Sequence, residues 1–318
     1  MIKVRDLRKR YGSKEALKGI SFVVEKGEIL GFLGPNGAGK TTTMQILTGY
    51  LSPTSGTVTI GEADLLRDPL EVKKQVGYLP ENPPVYRDMT VKEYLNFVME
   101  LKGVPRKERN NQLSELVERL QLTDVYTRLI GNLSKGYRQR VGLAQAICGD
   151  PEVLILDEPT VGLDPQQIIT IREFIRELGR DRTVILSTHI LPEVSALCER
   201  VLIINQGEIV AEGSPAELSH RLQKGQSLRV KIKGESEVVE NNLAQISNIS
   251  QITSVESEET GTCDFIITAD GDADIREELF YTMAKANLPI LELKPIDLSL
   301  EDIFLELVTE ESTERGAA

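Results

Sequence analysis

The sequence predicts an α/β fold built around a phosphate loop, with a mixed sheet and a helical subdomain, followed by an α+β ferredoxin-like domain. Three observations predict it. A glycine-rich loop near residue 37 lies between an apolar strand and a helix. A second apolar strand ends in two carboxylates near residue 157. After about residue 226, strands and helices follow the order βαββαβ.

The chain begins with a β-rich region that extends to about residue 80. Ile2, Val4, the run 20–24 and the run 56–60 have the composition of strands. The segment 28–33 is predicted to be a buried strand, because a short run of uncharged, mostly apolar residues follows Glu28. These segments predict the sheet that supports the glycine-rich loop.

The residues after this buried strand fit the pattern G-x-x-x-x-G-K-[ST] of a phosphate-binding loop. A helix predicted over 42–50 follows directly, so backbone N–H groups and the helix dipole converge on one anion site. Lys40 can reach the outer phosphates of a nucleoside triphosphate, and the Thr41 hydroxyl can ligate Mg²⁺. The flanking strand and helix argue against a chance glycine turn. The predicted cradle consists of Gly34, Pro35, Asn36, Gly37, Ala38, Gly39, Lys40, Thr41 and Thr42.

Helical periodicity replaces the strand pattern between about residues 85 and 150. Thr90 and Glu93 form the sequence signature of a capping box, and Pro105 suits the first turn of the following helix. The apolar faces of these two helices are predicted to be Tyr94, Leu95, Val98 and Leu101 in the first and Leu113, Leu116, Val117 and Leu120 in the second.

Short apolar runs typical of parallel strands return at 153–156, 183–186 and 201–204. Asp157 and Glu158 follow the first run, and in such folds the carboxyl end of this strand lies beside the phosphate loop. The first carboxylate suits Mg²⁺, and the second can polarise the water that attacks a γ-phosphate. We therefore predict Asp157 as a metal contact and Glu158 as the general base.

The charge distribution changes near Gly225. Residues 227–318 contain 7 Lys and Arg against 20 Asp and Glu, a net charge of −13, whereas residues 1–226 have a net charge of +1. We expect a nucleotide-binding domain over 1–225, with its helical subdomain at about 85–150, and an acidic accessory domain over 226–318. The acidic balance argues against nucleic acid as a partner. A solvated acidic face without a specific role is the simpler interpretation, and a terminal amphipathic helix over 300–307 is predicted to pack in a core or dimer.

The composition is that of a soluble globular protein, with 40% hydrophobic and 27% charged residues. No apolar run approaches the ~18 residues of a membrane-spanning helix, and the N-terminus does not have a signal-peptide core. The three cysteines are scattered without metal-binding spacing. We expect a cytoplasmic protein.

Residues 1 to about 220 resemble the ATP-binding subunits of ABC transporters, because several motifs occur in the order that is typical of this family. The segment 133–140, LSKGYRQR, resembles the family's signature loop and the start of its helix. The segment 162–165, GLDP, resembles the D-loop, and His189 resembles the switch histidine. Tyr11 resembles the aromatic residue that stacks on adenine.

The resemblance implies a homodimer that holds two ATP molecules between its subunits. Ser134 and Gly136, at a helix N-terminus suited to anions, would cap the γ-phosphate of ATP bound to the second subunit. Asp164 would bridge the dimer seam, and His189 would contact the γ-phosphate. The implied cofactors are ATP and Mg²⁺.

Two positions depart from the family pattern. Glu81 stands where the family usually has Gln, so it is either a third Mg²⁺ contact, beside Thr41 and Asp157, or a solvent-facing side chain. Lys135 stands in the signature loop, where it is either an additional phosphate contact or an exposed loop charge. These variants and the acidic C-terminal region resemble the drug, sodium, gliding-motility and polysaccharide-precursor branch, whose members are mostly export subunits.

The sequence therefore predicts an ATPase that powers a transporter at the inner face of the cell membrane. A separate membrane subunit is expected to dock near 82–100, with the segment 83–86 as a contact or as an ordinary proline turn. Two alternatives stay open: a soluble ABC ATPase acting on the ribosome or DNA, and a scaffold that binds ATP without hydrolysing it. The single phosphate loop disfavours the first, and the intact Glu158 disfavours the second.

Overall fold

The computed structural model describes residues 1–222, 227–255, 257, 259, 261–271 and 273–296. The chain divides into two compact units, Met1–Pro215 and Ala216–Ala318. The domain boundary predicted near Gly225 stays a prediction. The amphipathic helix predicted over 300–307 lies outside the described residues.

The first unit alternates strands and helices in chain order. Its strands are β1 (Ile2–Tyr11), β2 (Lys14–Val24), β3 (Ile29–Leu33), β4 (Ser55–Ile60), β5 (Ala63–Asp64), β6 (Val76–Leu79), β7 (Val153–Asp157), β8 (Thr183–Thr188), β9 (Arg200–Asn205) and β10 (Glu208–Gly213). Its helices are α1 (Lys40–Leu47), α2 (Pro69–Gln75), α3 (Val91–Leu101), α4 (Arg106–Arg119), α5 (Lys135–Ile147), α6 (Pro165–Leu178) and α7 (Leu191–Leu197), and α8 (Pro215–Leu222) follows.

Two sheets form the core of this unit. The antiparallel sheet has the order β2-β1-β4-β5, and the six-stranded sheet has the order β10-β9-β3-β8-β7-β6. In the larger sheet, β9, β3, β8, β7 and β6 run parallel, and β10 pairs antiparallel with β9 at one edge. Every residue of β3, β7 and β8 is buried, as their continuous apolar runs predict. The carboxyl ends of these strands therefore meet at one edge of the sheet.

The helical segments between β6 and β7 show where periodicity predicts well and where it fails. The capping box that begins α3 is confirmed, because the Thr90 side chain accepts from the Glu93 N–H and the Glu93 carboxylate accepts from the Thr90 N–H. The apolar face predicted for α3 is wrong at Leu101, which is 71% exposed in the last residue of the helix. The buried face consists of Val91, Tyr94, Leu95, Val98 and Met99.

Helix α1 begins two residues earlier and ends three residues earlier than predicted. Gly39 is its N-cap and has a φ of 113°, a left-handed conformation that favours glycine. Gly49, with a φ of 67°, follows the helix and donates its N–H to the Ile46 carbonyl. The two glycines therefore set the length of α1, and the helix starts directly at the phosphate-loop lysine.

The second unit has the predicted βαββαβ order. Its elements are β11 (Ser227–Lys233), α9 (Ser236–Leu243), β12 (Ile249–Val255), β13 (Thr262–Ala269), α10 (Arg276–Lys285) and β14 (Ile290–Ile296). The sheet has the order β12-β13-β11-β14 with all pairs antiparallel, which is the ferredoxin-like arrangement. Phe265 and Leu279 belong to the apolar core that the sheet and the two helices share.

Candidate active site

The predicted site residues gather at the edge where the parallel strands end. The phosphate loop follows β3, Glu81 follows β6 by two residues, Asp157 ends β7, and His189 follows β8. Since β3, β8, β7 and β6 are neighbours in this order, these side chains enter one region from four neighbouring strands. This edge is where open α/β sheets place their ligands.

The phosphate loop has the geometry that an anion cradle requires. A Cβ at Gly34 would lie 2.4 Å from the Ile204 carbonyl oxygen, so the loop packs tightly against β9. Helix α1 has no side chain capping its N-terminus, which leaves its first N–H groups for an incoming anion. The residues present therefore fit a bound phosphate chain.

Lys40 is buried, with 6% of its surface exposed. Its Nζ donates to the carbonyl oxygens of Gly34 at 2.7 Å and Pro35 at 3.2 Å, and lies 3.7 Å from Glu158 Oε1. Burial lowers the pKa of Lys40, and the carboxylates of Glu158 and Asp157 act in the opposite direction. The ammonium is thus held inside the loop where phosphate oxygens would replace these acceptors.

Asp157 is fully buried, and one of its two oxygens has no partner among the described residues. The Ser187 hydroxyl donates to Oδ1, whereas Oδ2 is buried and unpaired, and the Thr41 hydroxyl lies near the carboxylate. Burial raises the pKa of Asp157, and the charge of Glu81 adds to that rise. A buried carboxylate oxygen without a donor, beside a threonine hydroxyl, is the donor set that Mg²⁺ prefers.

Glu158 and His189 contact each other directly. Both carboxylate oxygens of Glu158 lie 2.9 Å from His189 Nδ1. Glu158 adopts a φ of 52°, which costs a non-glycine residue about 1–3 kcal/mol. Its N–H donates to the Ser187 carbonyl at 3.0 Å. The backbone is therefore strained at the residue predicted to be the base, and it is tied to β8.

Other predicted residues lie apart from this cluster. Ser134 caps α5 by accepting from the Tyr137 N–H at 3.4 Å, and Asp164 caps α6 by accepting from the Gln167 N–H at 2.9 Å. Among the described residues, no hydrogen bond or ion pair joins Ser134 or Asp164 to Lys40 or Glu158. Both side chains are exposed, as groups that meet a second subunit would be.

Two further positions show how the predicted binding residues are placed. Tyr11 ends β1 with 48% of its surface exposed, and the Lys9 ammonium lies 5.3 Å from its ring centroid. Lys135 lies against the segment 162–165 of its own chain, because a Cβ at Gly162 would be 2.8 Å or less from Lys135 Cδ, Cε and Nζ. The sequence left open whether Lys135 is a phosphate contact or an exposed loop charge, and the structure adds a third arrangement, a contact within its own chain.

Near the site, the sequence interpretation missed a buried carboxylate, Glu193 on α7. It is 0% exposed and accepts hydrogen bonds from the hydroxyls of Thr160 and Thr188. A signal was present: Glu193 stands between Leu191 and Val194, both buried, on the inward face of a short helix. A charged residue on such a face predicts a buried polar partner.

Comparisons with known proteins agree with this geometry. Residues 17–161 match the family model described as ABC transporter. The chain is 32% identical to the linearmycin resistance ATP-binding protein LnrL of Bacillus subtilis over 96% of this chain and 98% of that protein. It is 38% identical to the Nod factor export ATP-binding protein I of Burkholderia orbicola over 68% of this chain and 72% of that protein.

A solved structure extends the likeness to the fold. The chain resembles a dimeric ATP-binding cassette in a post-hydrolysis state with ADP and Pi, with a TM-score of 0.63 and 25% identity. The match covers 67% of this chain and 98% of that cassette. In the part of the chain that the structure describes, no helix is both long and apolar enough to cross a bilayer.

Proposed function

Because this chain belongs to the ABC transporter family and is an ATP-binding, ATP-hydrolysing subunit, we propose that it powers an exporter by closing as a dimer around two ATP molecules. The observation that supports this most strongly is the convergence of Lys40, Glu158 and His189 at one strand edge. Export is supported by the likeness to a Nod factor export protein and by the sequence features of the exporter branch.

We assign Lys40 and the backbone of 36–42 to phosphate binding and Glu158 to activation of water. ATP, when bound, supplies the phosphoanhydride bond whose hydrolysis drives the cycle. Glu158 lies within 3.7 Å of the lysine and is in direct contact with His189, so one carboxylate oxygen can take a proton from water. His189 Nδ1 orients that carboxylate, and its exposed ring would contact the γ-phosphate.

Mg²⁺ is assigned to Thr41, Asp157 and Glu81. The unpaired, buried Oδ2 of Asp157 supports this assignment, since the Thr41 hydroxyl lies near the same carboxylate. Glu81 is exposed but lies close enough to act electrostatically on both Asp157 and Lys40. When bound, the metal would neutralise phosphate charge, and these three residues would set its position.

The second half of each ATP site is assigned to the N-termini of α5 and α6, where Ser134 and Asp164 are exposed and Gly136 is buried. Ser134 and Gly136 would meet the γ-phosphate held by the partner subunit, and Asp164 would bridge the dimer seam. The exposed ring of Tyr11 supports stacking on adenine.

A separate membrane subunit is proposed to dock on the helical subdomain near 82–100, which places the protein at the cytoplasmic face of a membrane. A Cβ at Gly142 would lie 2.5 Å from Pro83 Cγ, so the loop after Glu81 packs on the signature helix α5. The half-exposed Tyr86 ring contacts Tyr94 and Phe97 on α3, with ring centroids 5.9 and 5.8 Å apart. A partner docked there would contact both the loop that contains Glu81 and helix α5.

We further propose 1–225 as the ATP-binding domain and 226–318 as an acidic accessory domain. Nucleic acid is not a proposed partner, because the accessory region has a net charge of −13.

The proposal is tested by the purified Glu158→Gln variant. We expect it to bind ATP with near wild-type affinity, to release phosphate at least 100-fold more slowly because the base is absent, and to accumulate as a dimer. The matched control is Glu152→Gln, at an exposed glutamate just before β7. Phosphate release at the wild-type rate by Glu158→Gln would remove the base assignment. Absent turnover by the wild-type protein with intact ATP binding would favour the non-hydrolysing scaffold.

A further inference from the structure

Glu193 is a buried carboxylate that the proposed roles do not use. Its Oε1 accepts from the Thr160 hydroxyl at 2.5 Å, and its Oε2 accepts from the Thr188 hydroxyl at 3.0 Å. All three residues are at most 2% exposed. One side chain therefore joins two segments that are far apart in sequence, in a place where water does not compete for the hydrogen bonds.

Both hydrogen-bond donors lie next to the reacting groups. Thr160 is two residues after Glu158, in the turn that follows β7, and Thr188 is directly before His189 at the end of β8. Thr188 also accepts from the Ile190 N–H at 3.0 Å, so its hydroxyl fixes the backbone on the far side of the histidine. Glu193 therefore fixes the position of Thr160, near the predicted base, and of Thr188, next to the predicted switch histidine.

The same carboxylate reaches the helix that begins at the D-loop. Arg172 on α6 lies 3.5 Å from Glu193 Oε1, and the N-cap of α6 is Asp164. A shift of α6 at the dimer seam would therefore act on Glu193, and through it on both segments of the site.

Glu158 needs such support. Its left-handed backbone persists only where surrounding contacts over-determine it. His189 has an exposed side chain, and its contact with the Glu158 carboxylate depends on how the two strand ends are spaced. The Thr160–Glu193–Thr188 bridge spans these two ends.

We propose that Glu193 is a positioning residue for ATP hydrolysis, whose buried carboxylate clamps Thr160 to Thr188 and thereby keeps Glu158 and His189 in contact. The inference rests on the proposed roles of Glu158 and His189. Glu193 does not touch the reacting atoms, and its effect passes through the two threonines.

The first test compares the turnover and nucleotide affinity of Glu193→Ala and Glu193→Gln. We expect Glu193→Ala to lower kcat by roughly tenfold to a hundredfold, the scale of a 1 Å misplacement, while the Kd for a fluorescent ATP analogue changes less than threefold. Glu193→Gln can still bond both hydroxyls, so it should retain kcat within about threefold. The control is Glu173→Gln, at an exposed glutamate on α6. A wild-type kcat in Glu193→Ala would overturn the proposal.

The second test reads the Glu158–His189 contact directly. The sequence has two histidines, so in a His220→Asn background the ¹⁵N-labelled ring signals belong to His189. In nucleotide-free protein we expect Glu193→Ala to move the Nδ1 signal and Glu173→Gln to leave it unchanged. A lower kcat with an unmoved signal would make Glu193 a merely structural residue and overturn the proposal.

A second variant and a separate control experiment keep the test of the Glu193 proposal conclusive. If Glu193→Ala does not fold, Thr160→Val removes the same hydrogen bond from the opposite side at nearly constant shape, and the same two readouts apply. Failure of the proposed function is recognised separately: Glu158→Gln would then turn over ATP at the wild-type rate, whatever the Glu193 variants do.

Discussion

Asp157 offers a prediction in which stability and binding change in opposite directions. Its carboxylate is fully buried and Oδ2 has no hydrogen-bond partner, so the nucleotide-free protein holds a poorly solvated charge at the end of β7. A buried polar atom left unpaired costs about 1–3 kcal/mol, and more when it is charged. Asp157→Asn removes the charge, and its side-chain oxygen can still accept from Ser187. We expect the free energy of unfolding to rise by about 1 kcal/mol.

The pH dependence of this effect has a definite sign. The pKa of Asp157 is raised by burial above its ordinary value of 3.8, so the folded state binds the proton more readily than the unfolded chain does. The destabilisation is complete above the folded pKa and disappears as the pH falls through that pKa toward 3.8. The stability gained by Asp157→Asn over the wild type should therefore shrink on acidification.

With bound nucleotide, the wild type should become more stable than Asp157→Asn. A ligand that binds only the folded state at 100 times its Kd stabilises by about 2.7 kcal/mol, and Asp157→Asn should lose much of this because it removes a charged metal contact. The assay is thermal unfolding in EDTA and with Mg²⁺ and a non-hydrolysable ATP analogue. One kcal/mol corresponds to roughly 2–4 °C for a unit of this size.

The matched control is Asp181→Asn, at an exposed aspartate just before β8, which should leave both melting temperatures unchanged. A lower melting temperature for Asp157→Asn in EDTA would refute the claim that the charge is held at a cost. Full stabilisation of the variant by the magnesium-loaded analogue would refute the metal assignment.

Two further substitutions address the phosphate loop and the departure from the family pattern. Lys40→Ala should weaken ATP binding at least tenfold, since it removes the buried ammonium that lies among loop carbonyls; unchanged affinity in a fluorescence titration, with Lys26→Ala as the exposed control, would reject the cradle. Glu81→Gln should strengthen ATP binding in the absence of Mg²⁺ by removing a negative charge that acts on Lys40 and Asp157; identical Kd values for the two proteins in EDTA would mean that the charge of the exposed Glu81 does not act on the site.

The sequence could predict the phosphate loop and the strand-end carboxylates because their chemistry is local. The loop needs glycines at fixed positions between a strand and a helix, and Asp157 and Glu158 follow an apolar run directly. The parallel pairing of β7 with β8 and β8 with β3 then brings these segments together without further information.

Long-range packing could not be predicted in the same way. Glu193 binds Thr160, which is 33 residues earlier, and no spacing rule connects a helix to the turn after a different strand. Lys135 lies on Gly162 for a similar reason, since the tips of α5 and α6 meet only in the folded unit. Leu101 failed as a core residue because periodicity specifies the face of a helix and not where the core ends along it.

The central claim is that two copies of this chain close face to face, so that Ser134 of one copy meets the phosphate loop of the other. It is tested most directly by disulfide formation between Asn36→Cys and Ser134→Cys in the Glu158→Gln background. Cys263, which is partly exposed, is replaced by Ser, and Cys148 and Cys198 are buried. We predict a covalent dimer that requires ATP and both introduced cysteines; a chain that stays monomeric on a denaturing gel with saturating ATP would contradict the account.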